Sequence, residues 1–261
     1  MKIIDQSYEI LSLPDNLLET IEKAGRTCYK SENKMNFCTL DEDADCDFHP
    51  GLVVETCSDS ECPHHSNQKF VKMLRDKGHH AMIEFGDIIV RFITNRGVTH
   101  ELVRHRLCSF AQESTRYVKY DGEMEFIRPV WCSEQVLGKH TIEWAALIGK
   151  RLEGQINPEL PPGDNVWFWN QTIAERDYCK LLDCGWRPEQ AREVLPNSLK
   201  TEIVVKANLR EWRHIFQLRI SKKAHPQIRA LMLPLLTDLK EKIPVVFDDI
   251  VMEKDGKRKG V

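Results

Sequence analysis

The sequence predicts an α+β fold in which a mixed or antiparallel sheet packs with helices. Apolar residues recur at helical spacing through several separate windows, and only a few short β-branched or aromatic runs interrupt them. No Gly-x-Gly-x-x-Gly stretch follows any of these runs, so the chain lacks the Rossmann motif of a doubly wound dinucleotide-binding sheet. Asp121-Gly122, between two short β-prone segments, reads as a hairpin turn, which suits α+β architecture better than strict β-α alternation.

Along the chain, residues 13 to 25 read as a first helix, with Pro14 near its start and Leu17, Leu18 and Ile21 on one face. From Ser31 to His65 the periodicity dissolves into a segment rich in Asp, Glu, Cys, His and Pro, with one short apolar patch at Leu52-Val53-Val54. That length is unusual for a connection within a compact domain, and it reads as an insertion. Ser66 suits the N-cap of a helix carrying Phe70, Val71, Met73 and Leu74 and closed by Gly78. Residues 85 to 94 are β-branched and aromatic and predict a strand, followed by a helix from Val98 to about Arg106. Residues 118–120 and 125–127 flank the Asp121-Gly122 turn as short strands.

Two longer helices are expected at about 133–153 and 166–183, separated by residues 157–163, whose prolines oppose a helix. Gly185 ends the second, and Pro188 starts a short helix that stops before Pro196. Residues 201–206 form a β-branched strand. Asn208 then caps a helix bearing Leu209, Trp212, Ile215 and Phe216, and a last helix runs from Pro226 to about Lys240 with a kink at Pro234.

The chain reads as a single domain over 1–261, with a Cys/His-rich insertion at about 31–65 and a short charged C-terminal tail. With 41% hydrophobic and 30% charged residues it matches a globular composition, not a disordered one. A formal net charge of −3 argues against a dedicated nucleic-acid binder but allows a local basic site. The N-terminus has no signal-peptide pattern, no apolar run is long enough to span a bilayer, and the nine cysteines are odd in number. Reduced thiols and a cytoplasmic location are therefore expected.

Against that acidic background, Arg104-His105-Arg106-Leu107-Cys108-Ser109-Phe110-Ala111-Gln112-Glu113-Ser114-Thr115-Arg116-Tyr117 concentrates three arginines. A guanidinium is a planar fork of donors that binds two phosphate oxygens at once, and hydroxyls or backbone N–H groups can complete the cradle. The plain alternative is a solvated basic helix end paired with acidic neighbours. The spacing R-H-R-x-x-S-x-x-x-x-S-x-R, however, resembles the signature of the flavin-dependent thymidylate synthases, the ThyX family. Three further blocks, in the same order, are similar to that family: Lys77-Gly78-His79-His80 with Glu84, Ala191-Arg192-Glu193-Val194-Leu195-Pro196, and Asn208 to Arg219 continuing to Ala224-His225-Pro226-Gln227.

The resemblance implies a homotetramer with shared active sites that makes dTMP from dUMP. Its implied cofactor is FAD, with NADPH as reductant and methylenetetrahydrofolate as carbon donor. It places dUMP on Arg104, Gln112, Glu113, Ser114, Thr115, Arg116, Arg192 and Arg219, with Arg192 reaching the phosphate from another subunit. FAD is assigned to His79, Glu84, Arg104, His105, Arg106, Asn208 and His214. Arg219 is implied as the catalytic residue, a fixed cation beside the uracil ring. Ser114 lacks an activating base in this pattern and is assigned to binding, not to nucleophilic attack. The chain departs from the family at Glu101, Ala81, Ala111 and Lys223.

Other readings stay open at this point. The same scaffold suits hydroxymethylation or methylation of another pyrimidine nucleotide, and a basic signature alone also suits an RNA- or DNA-binding module. Cys38, Cys46, His49, Cys57, Cys62, His64 and His65 are zinc-ligand types, but C-x4-C-P-H-H does not match a C-x2-C finger, and no metal is expected.

Overall fold

The computed structural model describes residues 1–35, 66–120, 122–140 and 160–252. The Leu52-Val53-Val54 patch, the insertion's cysteines and histidines, residues 141–153 of the expected helix, Asp121 and the charged tail lie outside them. The chain divides into two compact units. Unit 1 comprises 1–9, 91–205 and 225–231, and unit 2 comprises 10–90, 206–224 and 232–261.

Two short strands open the chain, β1 (Lys2–Ile4) and β2 (Ser7–Ser12), neither of which the sequence reading anticipated. Helices α1 (Leu17–Thr27), α2 (Ser66–Asp76) and α3 (His80–Ile83) follow. Strand β3 (Asp87–Asn95) leads into α4 (Arg96–Leu102), β4 (Ser109–Gln112), β5 (Glu125–Ile127) and β6 (Gly138–Lys139). Helices α5 (Pro162–Asp183) and α6 (Pro188–Ala191) precede β7 (Lys200–Asn208), and α7 (Leu209–Arg219), α8 (Pro226–Lys242) and α9 (Pro244–Phe247) close the described chain. One sheet has the order β5-β1-β6 and a second β2-β3-β7-β4. This is α+β, as the sequence predicted, and among the described residues no helix is long and apolar enough to cross a membrane.

In unit 1, β1 pairs in parallel with β5, placing Ile3 opposite Phe126 and Ile4 opposite Ile127, and antiparallel with β6, placing Ile3 opposite Gly138. The first sheet is therefore mixed. Ile3, Met124, Phe126 and Val136 join Phe168 and Tyr178 of α5 and Leu199 in one buried cluster. The expected hairpin does not form. Residues 118–120 are not strand, and β5 takes the N-terminal strand as partner. Nor are residues 133–140 helical through their length. A single 3₁₀ turn at Glu134–Val136 gives way to β6.

The prolines of 157–163 also act differently from expectation. Pro161 is the N-cap of α5 and Pro162 its first residue, a position where the missing N–H would have had no helical partner. At the other end, Gly185 takes φ +88, and its N–H and that of Trp186 satisfy the last carbonyls of α5 at Leu182 and Leu181.

In unit 2, α1 buries Leu17, Leu18 and Ile21, and α2 buries Val71 and Leu74. Gly25 is pressed against Phe70, and the Arg26 guanidinium lies 4.5 Å from the centroid of the same ring. Trp212 and Phe216 of α7 stack at 5.9 Å, and Phe216 meets Phe247 edge-on at 5.6 Å. Helix α7 is tied down by Arg213, whose guanidinium bonds both carboxylate oxygens of Asp249 at 2.7 and 2.6 Å and the Val246 carbonyl. Arg75 of α2 donates to the Val245 carbonyl at 2.7 Å and lies 3.6 Å from the same Asp249.

Candidate active site

The basic signature begins where α4 ends. Asn95 caps that helix, its Oδ1 accepting from the Val98 N–H at 2.9 Å. Past Leu102 the chain tightens through single turns, with Arg104, His105 and Cys108 N–H groups donating to the carbonyls of Glu101, Leu102 and His105. This coiling buries the His105 side chain at 5% exposure and leaves Arg104 and Arg106 exposed. Neither guanidinium bonds to a described residue. Uncommitted guanidiniums fit an anionic, phosphate-bearing ligand.

The signature then runs along β4, an edge strand, into a turn. Gln112 Nε2 donates to Thr99 Oγ1 at 3.0 Å and Thr201 Oγ1 at 3.3 Å, so its amide is committed to the fold. Glu113 is held through all its polar groups. Its N–H donates to the Glu202 carbonyl at 2.9 Å, and its carbonyl accepts from Arg96 Nη2 at 3.0 Å. Its Oε1 accepts from the Tyr120 hydroxyl at 2.5 Å, and its Oε2 lies 3.6 Å from Lys200 Nζ. Ser114 organises the turn that follows: its Oγ accepts from the Arg116 N–H at 3.3 Å and its carbonyl from Tyr117 and Val118. Arg116 is exposed, its guanidinium carbon 5.4 Å from the Tyr117 ring centroid.

Arg192 opens the 3₁₀ turn after α6, and its Nη1 donates to Thr115 Oγ1 at 3.3 Å. Arg192 is thus brought beside the signature within the same chain. Arg104, Arg106, Ser114, Thr115, Arg116 and Arg192 form the part of unit 1 able to present donors to a phosphate. Gln112 and Glu113 face the fold instead.

The charges around Glu113 are tuned by their packing. Burial pushes the Tyr120 hydroxyl up, and the Glu113 carboxylate adds to it, so Tyr120 stays a donor. Burial alone would lower Lys200, but Glu202, Glu113 and Glu125 together outweigh it and raise its pKa. The hydrogen bond from Lys200 holds Glu202 below its ordinary value.

Unit 2 gathers the remaining assigned residues around the start and end of α7. Glu84 Oε1 accepts from Arg210 Nη1 at 2.6 Å, and the Gly86 carbonyl accepts from the Leu209 N–H at 2.8 Å. These two contacts bring Glu84 to Asn208 despite their separation in sequence. Asn208 caps α7 as expected, its Oδ1 accepting from the Glu211 N–H at 2.8 Å. That leaves its amide nitrogen as the group able to meet a ligand. His79 precedes α3 and is exposed, as is His214 on α7, and Arg219 is the last residue of that helix. Glu211 is 5% exposed, and burial raises its pKa against the opposing pull of His214 and Arg210.

Arg96, Tyr120 and Lys200 were missed by the sequence reading. None belongs to a motif, and only folding brings them to Glu113.

Comparison with known proteins gives a consistent result. The family model described as thymidylate synthase complementing protein matches residues 9–245. The flavin-dependent thymidylate synthase of Corynebacterium efficiens is 30% identical over 241 residues, covering 89% of this chain and 79% of its own. That of Mycobacterium tuberculosis is 29% identical over 231 residues, covering 88% and 78%. Among solved structures, the UMP/dUMP methylase PolB from Streptomyces cacaoi, bound with 5-Br dUMP, superposes with a TM-score of 0.60 at 19% identity. It covers 95% of this chain and 96% of its own, a likeness of fold.

Proposed function

The chain belongs to the flavin-dependent thymidylate synthase family, and on that premise we propose that it converts dUMP to dTMP. Methylenetetrahydrofolate is the carbon donor and NADPH the reductant through FAD. The observation that carries this reading is that Arg104, Arg106 and Arg116, all within one short signature, are exposed, and that Arg116 follows the fixed turn at Ser114. Arg104, Ser114 and Arg116 bind the nucleotide phosphate, with Arg192 adding a fourth polar side chain. Arg219 places a cation against the pyrimidine and stabilises the charge that develops as C5 becomes nucleophilic. His79, His105, Arg106, Asn208 and His214 hold FAD, with Glu84 fixing Arg210 nearby. When bound, FAD supplies the redox chemistry, while the protein supplies position and electrostatics.

The active form is a homotetramer with shared sites. It is cytoplasmic, a placement supported by the cysteine usage. The chain acts as one domain bearing the 31–65 insertion.

The test begins with incubation in FAD, removal of unbound cofactor and a visible absorption spectrum. A retained flavin spectrum, followed by dTMP identified by mass after adding dUMP, methylenetetrahydrofolate and NADPH, is the expected outcome. A folded, colourless protein would overturn the reading, and a different product mass would redirect it to another pyrimidine modification.

A further inference from the structure

Glu113 sits immediately before the turn that carries Ser114, Thr115 and Arg116, and three separate segments converge on it: α4, β7 and the residues around Tyr120. Arg96 from α4 holds its carbonyl, Glu202 of β7 receives its N–H, and Tyr120 and Lys200 reach its two carboxylate oxygens. A glutamate gripped in this way has no oxygen pointed at a ligand. It is, however, the last fixed residue before the turn. The Lys200 ammonium is itself held by Glu202 at 2.8 Å, so the contact belongs to a braced array, not to a loose surface pair.

The partners are suited to static work. Tyr120 is half-buried, its ring meets Tyr178 edge-on at 6.0 Å, and its N–H donates to the Tyr178 hydroxyl. The ring is therefore fixed independently of its own hydroxyl. On the other flank of the turn, Arg192 holds Thr115. The segment from Glu113 to Thr115 is thereby pinned at both ends, with Ser114 inside it and Arg116 directly after it, its N–H bonded to Ser114 Oγ.

We propose that Tyr120 and Lys200 are positioning residues for nucleotide binding. Acting through Glu113, they fix the turn that aims Ser114 and Arg116 at the phosphate of dUMP. This rests on the functional reading above, and it changes the role of Glu113 from a ligand contact to the pivot of the binding turn. Preorganised donors need no ordering when the ligand arrives, so loosening the pivot weakens binding and leaves the chemical step intact once the nucleotide is seated.

The test is Tyr120→Phe, which removes one hydroxyl and keeps the ring against Tyr178, together with Lys200→Gln. Titration calorimetry of FAD-loaded protein with dUMP, melting temperature and steady-state kinetics are measured for wild type, both single variants and the double variant. A charge-assisted hydrogen bond lost next to the site is expected to weaken dUMP binding about tenfold in Tyr120→Phe, with the KM for dUMP rising and kcat held. Because both residues act through one carboxylate, the double variant should lose less than the product of the two single effects. A variant with a lowered melting temperature but wild-type dUMP affinity shows a purely structural role and overturns the proposal. So does a double variant whose effects simply multiply. If Tyr120→Phe fails to fold, Lys200→Gln alone decides by the same split between KM and kcat. Wild type that does not bind dUMP sinks the functional reading and this inference with it, whereas wild type and variants that bind equally sink the inference alone.

Discussion

Replacing Asp249 with asparagine tests how helix α7 is held. In wild type the carboxylate takes two bonds from Arg213, whose side chain is only 8% exposed, and lies 3.6 Å from Arg75, whose side chain is 6% exposed. Breaking a buried ion pair by removing one partner costs about 3–5 kcal/mol, because a desolvated charge is left behind. Three features reduce that figure here. The Asp249 side chain is 44% exposed, so water can replace part of the lost bonding. Each arginine keeps a backbone acceptor, Val246 for Arg213 and Val245 for Arg75. Asparagine still offers one oxygen. A loss of about 2 kcal/mol follows, equivalent to a melting temperature about 4–8 °C lower in a protein of this size.

The pH dependence carries a sign. The hydrogen bond from Arg213 holds the Asp249 carboxyl below its ordinary value. A carboxyl depressed on folding stabilises fully above its unfolded pKa of about 3.9, and this contribution is lost as pH falls through the folded value. The gap between wild type and Asp249→Asn should therefore be flat at neutral pH and close below about pH 4. Urea denaturation at a series of pH values measures it. A variant within about 0.5 kcal/mol of wild type at pH 7, the range of an ordinary surface change, would show that Asp249 does not anchor the helix. A gap unchanged at pH 3 would show that its carboxylate charge is not the anchor.

Gly86→Ala probes the close packing that sets Glu84 beside Asn208. A Cβ there would lie 2.9 Å from Leu17 Cδ1 and 3.0 Å from Leu209 Cδ1, so overpacking should destabilise by about 1–2 kcal/mol, read from the denaturant midpoint. An unchanged midpoint would mean that the two leucines yield freely. Burial, and then Asp164, push the Cys132 thiol up to about 11, so iodoacetamide at pH 8 should spare it and label exposed Cys28 and Cys184. Peptide mass mapping decides, and Cys132 modified as fast as Cys184 would contradict the burial argument.

What was legible in the sequence was local. The strand over 201–206 and the Asn208 cap could be read because β-branched propensity and capping act within a few residues, and both appear in β7 and α7. The failures share a cause. Strand β1 is three residues long and finds its register on β5, more than a hundred residues away, so no local pattern announces it. That same pairing took residues 125–127 away from the hairpin that Asp121-Gly122 suggested. The proline-rich segment misled because a proline that ends one helix also suits the first position of another. In the site, residue type and spacing singled out Arg104, Arg106 and Arg116 as phosphate-binding candidates, and all three are exposed. The restraint of Glu113 was not legible, since Arg96, Tyr120 and Lys200 arrive by tertiary packing and carry no motif.

The interleaved segments of the two units constrain how the chain is made. Unit 1 needs residues 1–9, 91–205 and 225–231, and unit 2 is likewise assembled from separated pieces. On a translating ribosome, Lys2–Ile4 emerges long before Glu125–Ile127, its parallel partner, exists. Neither unit can therefore finish folding early in synthesis: unit 1 must wait for residues 225–231, and unit 2 for the residues from 232 onward. Pairings of such long sequence separation fold slowly, leaving β-branched segments such as Lys200–Asn208 exposed in the meantime. The nascent chain is thus a natural client for chaperones that shield apolar strands, and its yield should fall faster than its stability when synthesis outpaces them.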